Sequence, residues 1–417
     1  MSRAFALPML LSAAVLGSSA LRAECVALEG GRVALPGAKP EPGTVVLRDG
    51  RIAAAGATAA VPEGCRRVSV AGKVVTPGLI DPSSTLGVDE IDLEESTQDT
   101  DAGGADPVRA AFRVADGYNP GSVLIPVARA GGVTSAVVAP AGGLVSGQAA
   151  WVDLEGASQA DAVKRAPVAI SVNLANTAGA SLRMLRELLE DARRFVTQRD
   201  AWERGQSRTF PWSRLDLEAL RPVIEGNLSL VVGADRASDI EAVLRLAAEA
   251  KVRVVIRGAA EGHLVAEQLA RAGVGVIVDP TVYGPGGYDQ VRARRGNAAL
   301  LRKAGVTVAI SSYSPHNLRK LRQLAGNAVR DGLPWEGGLE AITAAPARLF
   351  GMDGYGVLAP GGVANVAVWS GDPLEISSRL EQLYLHGESV TLRSRQTELF
   401  EKYRKPPGSP RPALPLP

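Results

Sequence analysis

The chain has 417 residues, with 46 Gly, 27 Pro, 2 Cys and 3 His, and its formal net charge is +2. The 46 basic and 44 acidic residues nearly balance, which argues against a nucleic-acid-binding protein, because a strongly basic face would need an equally acidic one elsewhere. Two Cys exclude a disulfide-dense scaffold and any zinc site built from four cysteines.

The first 23 residues have the pattern of a secretory signal peptide. Arg3 precedes an apolar stretch over 4–17 and then small residues, with 18–20 and 21–23 as alternative cleavage sites. The stretch is too short to span a bilayer, and no later run reaches the ~18 apolar residues of a transmembrane helix. The sequence therefore predicts a periplasmic or secreted protein that does not span the membrane. A buried N-terminal helix is the alternative.

Export would place Cys25 and Cys65 in an oxidising compartment, where they are candidates for a disulfide. The bridge would close a loop of about 40 residues and contribute up to ~3–4 kcal/mol. Two separate buried thiols are the alternative, because a sequence does not show whether two Cβ atoms meet.

Residues 24–75 predict short strands joined by tight turns. Two apolar runs within 44–56 flank Asp49-Gly50, a strong hairpin signal because both residues tolerate positive φ. From about 76 to 350, apolar runs typical of strands buried on both faces alternate with helical patterns. These runs are 134–140, 168–173, 228–234, 252–258, 274–280 and 306–313.

Helical patterns lie between the runs, as in 181–195, where apolar residues recur at i, i+3 and i+4. Strand-to-helix alternation over about 270 residues has the length and rhythm of a (β/α)8 barrel. Strands return after it, so two strand-rich pieces could share one small β domain. We predict five segments: signal peptide 1–23, β domain 24–75, barrel 76–350, β domain 351–395, and a C-terminal helix with a Pro-rich tail at 396–417.

Five motifs in order give the chain a resemblance to the amidohydrolase superfamily, and within it to the imidazolonepropionase-like branch. They are 72–81 (GKVVTPGLID), 130–134 (AGGVT), 341–347 (AITAAPA), 356–361 (GVLAPG) and 371–374 (GDPL). The resemblance implies an α/β fold in which a TIM-like barrel carries a small composite β-sandwich built from both ends of the chain. It also implies hydrolysis of C–N bonds, often in cyclic amides, at a metal centre that usually holds zinc.

The positions where the family carries metal ligands hold other residues in this chain. Where the family has His-x-His after the first barrel strand, this chain has two hydroxyl residues. The ends of the fifth and sixth barrel strands of this chain lack the His that the family has there. At the eighth strand a Tyr, or Ser312 if the register shifts by one, replaces Asp. The five substituted positions are Ser83, Thr85, Gly233, Arg257 and Tyr313. The sequence therefore predicts no metal cofactor.

The guanidinium of Arg257 argues against a metal at this place, since at about 5 Å it would repel a dication by ~6–7 kcal/mol at an effective dielectric constant of about 20. His263, His316 and His386 lie outside the expected ligand positions, and each is interpreted as a solvated or locally hydrogen-bonded side chain. Asp235, Asp279 and His316 remain as candidates for an acid or base, although the two Asp also suit helix caps and turns.

These observations predict a catalytically degenerate amidohydrolase relative that binds a small molecule or supports a partner, for which an active amidohydrolase paralogue is a candidate. Arg257 with the hydroxyls of Ser83, Thr85 and Tyr313 could accept an anion, or these positions drifted after loss of the metal. The alternative is an active C–N hydrolase with relocated ligands or a metal-free mechanism.

Overall fold

The computed structural model describes residues 25–174, 178–206 and 209–404. The predicted signal peptide and the Pro-rich tail from 405 onwards lie outside the described residues. Along the described part of the chain, no helix is both long enough and apolar enough to cross a membrane.

One eight-stranded sheet forms the β domain, and it takes strands from both ends of the chain. Its strands are β1 (Cys25–Val33), β2 (Glu41–Arg48), β3 (Arg51–Gly56), β4 (Arg66–Ser69), β5 (Val74–Pro77), β14 (Val366–Trp369), β15 (Leu380–Leu385) and β16 (Glu388–Ser389). The order is β16-β15-β14-β5-β1-β2-β3, and β4 pairs with β1. Because β14 pairs antiparallel with β5, the two ends meet in the middle of the sheet, which confirms the predicted composite domain.

The N-terminal part of this sheet has the predicted hairpin and a disulfide. β2 and β3 pair antiparallel around Asp49-Gly50, and both turn residues have positive φ. Cys25, at the start of β1, is disulfide-bonded to Cys65, with 4.6 Å between their Cα atoms. The bridge therefore holds the chain just before β4 against β1, its parallel partner.

The second eight-stranded sheet is the barrel. Its strands are β6 (Leu79–Ser84), β7 (Val133–Val138), β8 (Val145–Asp153), β9 (Val163–Asn173), β10 (Ser229–Ala234), β11 (Arg253–Gly258), β12 (Val276–Val278) and β13 (Val308–Ile310). They follow one another in chain order, and every pair is parallel except β7–β8 and β8–β9. The predicted barrel is confirmed, with one strand running against the other seven.

Strand β8 is absent from the predicted apolar runs, because glycines interrupt the sequence at and just before its first residues. Gly147 has φ +134, and the register shifts between Val145 and Gly147, so a bulge carries the glycine inside the strand. Since β8 runs antiparallel, its first residue lies at the edge where the other strands end, and Asp153 lies at the edge where they begin. This reversal decides the position of Asp153.

The helices cover the outside of the barrel and follow it at the C-terminus. They are α1 (Leu124–Ala130), α2 (Gln159–Ala162), α3 (Ala178–Thr197), α4 (Arg199–Glu203), α5 (Arg214–Ala219), α6 (Arg221–Ile224), α7 (Ala237–Ala250), α8 (Ala266–Arg271), α9 (Asn297–Lys303), α10 (Leu321–Arg330), α11 (Trp335–Glu340), α12 (Ala344–Leu349) and α13 (Arg395–Tyr403). Helix α3 contains the predicted 181–195 segment, and its apolar stripe from Leu182 to Phe195 is buried. Residues 262–264 form a 3-10 turn, which α8 follows.

The backbone of the 341–347 motif closes the gap between the first and last barrel strands. Ile80 N–H in β6 donates to Ile342 O at 2.8 Å, and Ile310 N–H in β13 donates to Ala341 O at 2.9 Å. The first and the last barrel strand thus each form a backbone hydrogen bond to the same short segment, which gives this motif a structural role.

The glycines of the 130–134 motif allow the turn between α1 and β7 to pack closely against Arg319 and Trp369. A Cβ at Gly131 would lie 2.5 Å from the Arg319 Cα, and one at Gly132 would lie 2.4 Å from the Trp369 ring. Gly132 also has φ +88, a conformation that other residues rarely adopt. Only glycine fits both positions without moving the neighbouring backbone or ring.

Candidate functional site

The carboxyl ends of the parallel barrel strands surround a cavity of about 330 Å³, here called the mouth cavity. Each strand from β9 to β13 contributes a residue at or just beyond its end. The residues that matter for its chemistry are Asn173, Asp235, Arg257, Asp279, Asp289 and Tyr313, with Gly233 in the wall. This is the edge at which barrel enzymes place their active sites.

Arg257, near the end of β11, provides positive charge in the mouth cavity. Its Nη2 donates to Asn173 Oδ1 at 2.5 Å, and Asn173 Nδ2 in turn donates to Ser146 Oγ at 2.8 Å. Within the described residues no carboxylate lies within ion-pair distance of Arg257. Its charge is oriented by a neutral amide and is not neutralised by a neighbouring carboxylate.

Tyr313 follows β13 and is held by two backbone groups. Its hydroxyl donates to Ile277 O at 2.6 Å and accepts from Gly258 N–H at 3.2 Å. Burial raises the pKa of the Tyr313 phenol above its usual 10, so this group stays protonated. Its backbone has φ 53, an unfavourable conformation for a bulky residue. These contacts anchor Tyr313 as a rigid wall of the cavity.

Asp235 and Asp279 line the same cavity and are held by short loops. Asp235 accepts from Ala260 N–H at 3.1 Å and from Gln290 Nε2 at 2.9 Å. Asp279 Oδ1 accepts from Thr281 N–H at 2.8 Å and from Thr281 Oγ1 at 2.6 Å. Both carboxylates therefore line the cavity that contains Arg257, and Asp279 also makes the local turn bonds expected from sequence, whereas the partners of Asp235 are distant in the chain.

Ser83 and Thr85 do not line the mouth cavity with Arg257. Ser83 is buried, and its N–H donates to Asp81 Oδ1 at 3.0 Å. Thr85 Oγ1 donates to Asp89 Oδ2 at 3.4 Å. The anion pocket imagined from sequence thus contains Arg257 with Asn173, an amide that sequence reasoning had not assigned to it.

The residues present at the mouth do not fit the metal centre that the family resemblance implies. Gly233 has no side chain, Arg257 is a fixed cation, and the Tyr313 hydroxyl is held by backbone. Burial raises the pKa of the nearby Asp81 carboxyl, and both its oxygens already accept hydrogen bonds. We derive no step through a metal at this place.

All three histidines lie outside the lining of the mouth cavity, and two of them each contact a neighbouring polar group. His316 Nε2 lies 3.3 Å from Asp92 Oδ1, on the acidic loop after β6. His263 N–H donates to Asn297 Oδ1 at 2.9 Å, and burial lowers the pKa of its imidazole below 6.5. His316 therefore does not join Asp235 and Asp279, although all three were candidate acids or bases.

His386 differs from both, because it meets two carboxylates at the opposite edge of the barrel. Its Nε2 lies 2.6 Å from Asp153 Oδ2 and 3.2 Å from Glu155 Oε1. One ligand atom from each residue lies within 4.8 Å of the others, so this group could hold a metal ion. The prediction that the chain lacks metal ligands, and with it a cofactor of this kind, is therefore wrong.

Sequence reasoning missed this group for a physical reason. It treated His386 as solvated or locally bonded, whereas its partners are 233 and 231 positions away in sequence. Asp153 is the last residue of β8, a strand that the predicted apolar runs do not include. The short apolar run 149–152 (AAWV) just before Asp153 was the signal that could have placed Asp153 at a strand end.

The fold agrees closely with a solved structure. An amidohydrolase from Thermotoga maritima MSB8 superposes with a TM-score of 0.79 at 24% identity, over 88% of this chain and all of the other. The chain has an amidohydrolase fold. A prolidase complexed with N-methylphosphonate-L-proline shares this amidohydrolase fold, with a TM-score of 0.55 at 17% identity over 88% of the chain.

Sequence comparison also leads to an amidohydrolase. The amidohydrolase tasK of Hapsidospora irregularis is 25% identical over 366 residues, which cover 78% of this chain and 37% of tasK. The chain thus spans 37% of the length of that curated relative. No family model matches the chain. The resemblance to amidohydrolases is confirmed, whereas the imidazolonepropionase-like branch stays a prediction.

Proposed function

We propose that this amidohydrolase-fold protein is catalytically degenerate and binds a small zwitterionic ligand in its mouth cavity. The observation that carries the proposal is Arg257, a cation without a carboxylate partner in the described chain, in one cavity with Asp235 and Asp279. A guanidinium recognises a carboxylate through paired hydrogen bonds, and it keeps its charge at every physiological pH.

The acidic residues add negative charge to the cavity that contains the positive charge of Arg257. Asp235, Asp279 and Asp289 line it, and a fourth carboxylate, Asp239, is neutralised by Arg236 at 2.9 Å. A simple anion would be repelled by these carboxylates. A molecule with a cationic and an anionic group can pair with the carboxylates and with Arg257 at the same time. The volume of about 330 Å³ suits a small molecule, such as an amino acid or a dipeptide.

Calorimetric titration with three matched probe sets tests this proposal. Amino acids and dipeptides should bind, while carboxylic acids without an amine and amines without a carboxylate should bind weakly. Arg257→Met should weaken binding by roughly 10- to 100-fold, the cost of a lost charged hydrogen-bond pair.

Arg253→Met is the matched control, because Arg253 begins the same strand, is exposed, and its guanidinium donates to Gly226 O at 3.4 Å, outside the mouth cavity. Its affinity should equal that of the unchanged protein. If no zwitterion binds, or if Arg257→Met binds as well as the control, the proposal fails.

A metal-free C–N hydrolase is the second candidate, favoured by the presence of both carboxylates beside Arg257. Either Asp235 or Asp279 could act as a general base on a water molecule. Turnover of cyclic amides or dipeptides that Asp279→Asn abolishes, with binding retained, would replace the degenerate function by this one.

We also propose export of the chain and association with an active amidohydrolase paralogue. The disulfide between Cys25 and Cys65 supports an oxidising compartment. N-terminal sequencing of the fractionated mature protein tests export, and the mass of the complex formed with a purified paralogue tests the partner. An uncleaved cytoplasmic chain, or two species that remain separate at micromolar concentration, would contradict these proposals.

A further inference from the structure

We propose that Asp153, Glu155 and His386 form a structural binding site for a divalent transition-metal ion between the barrel and the β domain. Asp153 ends β8 at the edge opposite the mouth cavity, and Glu155 follows it. His386 lies in the tight turn between β15 and β16. An ion here would join the two sheets.

The donor set suits zinc or a similar ion, since one imidazole nitrogen and two carboxylate oxygens are typical ligands for it. Two ligands of a tetrahedral zinc ion lie about 3.3–3.6 Å apart, given bond lengths of about 2.0–2.2 Å. The 3.2 Å between His386 Nε2 and Glu155 Oε1 is close to the lower end of that spacing. The 2.6 Å distance between His386 Nε2 and Asp153 Oδ2 would increase slightly when the ion replaced the proton that these two atoms share.

Charge balance also favours a dication. The Asp153 side chain is fully buried, and a buried carboxylate needs compensating positive charge. The two carboxylates of the site would neutralise a dication. Lys164 Nζ lies 3.4 Å from Glu155 Oε1 and supplies part of the compensation at the outer side.

The ligand positions are held by contacts independent of the ion. Ser135 Oγ donates to Asp153 Oδ1 at 2.6 Å, and the Tyr355 hydroxyl donates to Asp153 Oδ2 at 2.9 Å. His386 N–H donates to Asn365 Oδ1 at 2.9 Å, and the residue has φ 47. Such supporting bonds orient metal ligands. The left-handed backbone conformation of His386 costs free energy, and a specific partner for its imidazole would offset that cost.

The experiment uses the full chain stripped with chelator and titrated with Zn²⁺, followed by calorimetry and by the thermal unfolding midpoint. Co²⁺ serves as a spectroscopic probe, since a four-coordinate ion gives intense visible bands. One equivalent should bind, the unfolding midpoint should rise, and His386→Gln should weaken binding by at least about 100-fold.

His316→Gln is the matched control, because among the described residues His316 has one carboxylate within ion-pair distance, Asp92 at 3.3 Å. Its zinc binding and its stabilisation by zinc should equal those of the unchanged protein. If His386→Gln does not fold, Glu155→Gln, whose side chain is 25% exposed, takes its place. Failure to bind Zn²⁺ at micromolar concentration, or equal uptake by the variant and the unchanged protein, would overturn the site and leave an imidazolium–carboxylate pair. Ligand binding at the mouth would be unaffected by either result.

Discussion

Ser311 Oγ donates a hydrogen bond of 2.6 Å to Asp81 Oδ1, across 230 positions of sequence. Asp81 lies in β6, the first barrel strand, and Ser311 directly follows β13, the last. Both side chains are fully buried, and the same serine hydroxyl also lies 2.8 Å from Ser83 O. This contact therefore joins the two end strands of the barrel through side chains, beside the backbone closure at 341–342.

Ser311→Ala should lower the free energy of unfolding by about 1.5–3 kcal/mol, because the buried Asp81 Oδ1 loses the hydrogen bond that it accepts from Ser311 Oγ. Urea unfolding followed by circular dichroism measures the loss. Ser238→Ala is the control: Ser238 is exposed on α7, so we expect a change within about 0.5 kcal/mol. Equal stability of the two variants would show that this bond contributes little to closure.

Glu261 should make the stability of the chain depend on acid pH. Burial disfavours its charge, but bonds from Ala237 N–H, Arg292 N–H and the Arg292 guanidinium outweigh burial and lower the pKa of Glu261 below 4.5. A lowered pKa stabilises the folded state above the unfolded-state pKa, and that stability is lost as the pH falls through the folded-state value.

Glu261→Gln should therefore cost about 1.5–3 kcal/mol near pH 7, and the difference should shrink as the pH falls below about 4. Denaturant unfolding at several pH values measures it. Glu267→Gln changes an exposed carboxyl on α8 and should give a small difference at every pH. A Glu261→Gln difference that stays constant from pH 7 to pH 3 would contradict the predicted titration.

Replacing Cys65 by Ser should destabilise the folded chain by about 3–4 kcal/mol, because the bridge to Cys25 closes a loop of 40 positions and restricts the unfolded chain. The unfolding midpoint, measured with and without reductant, reports this loss. The Cys65→Ser variant should not respond to reductant, whereas the unchanged protein should fall to nearly the same midpoint. An unchanged protein insensitive to full reduction would show that packing alone holds β4 against β1.

Local patterns in the sequence were enough to predict the architecture. The apolar runs at 228–234 and 252–258 became β10 and β11, and Asp49-Gly50 became the turn of a hairpin. Such features depend on neighbouring residues, since burial on both faces requires a continuous apolar run and a tight turn requires residues that tolerate positive φ. The motif glycines at 131 and 132 are explained by the close approach of Arg319 and Trp369.

The sites depended on partners that are distant in the chain. Sequence placed Arg257 at a strand end, but only the parallel register of β9 and β10 beside β11 brings Asn173 to it, 84 positions away. The reversed direction of β8 moves Asp153 to the base of the barrel, where the turn before β16 presents His386. Local patterns in the chain were thus sufficient to predict the amidohydrolase fold and to place Arg257 at a strand end. The tertiary structure alone decided which charges meet, because strand direction and register, rather than spacing along the chain, determine which side chains become neighbours.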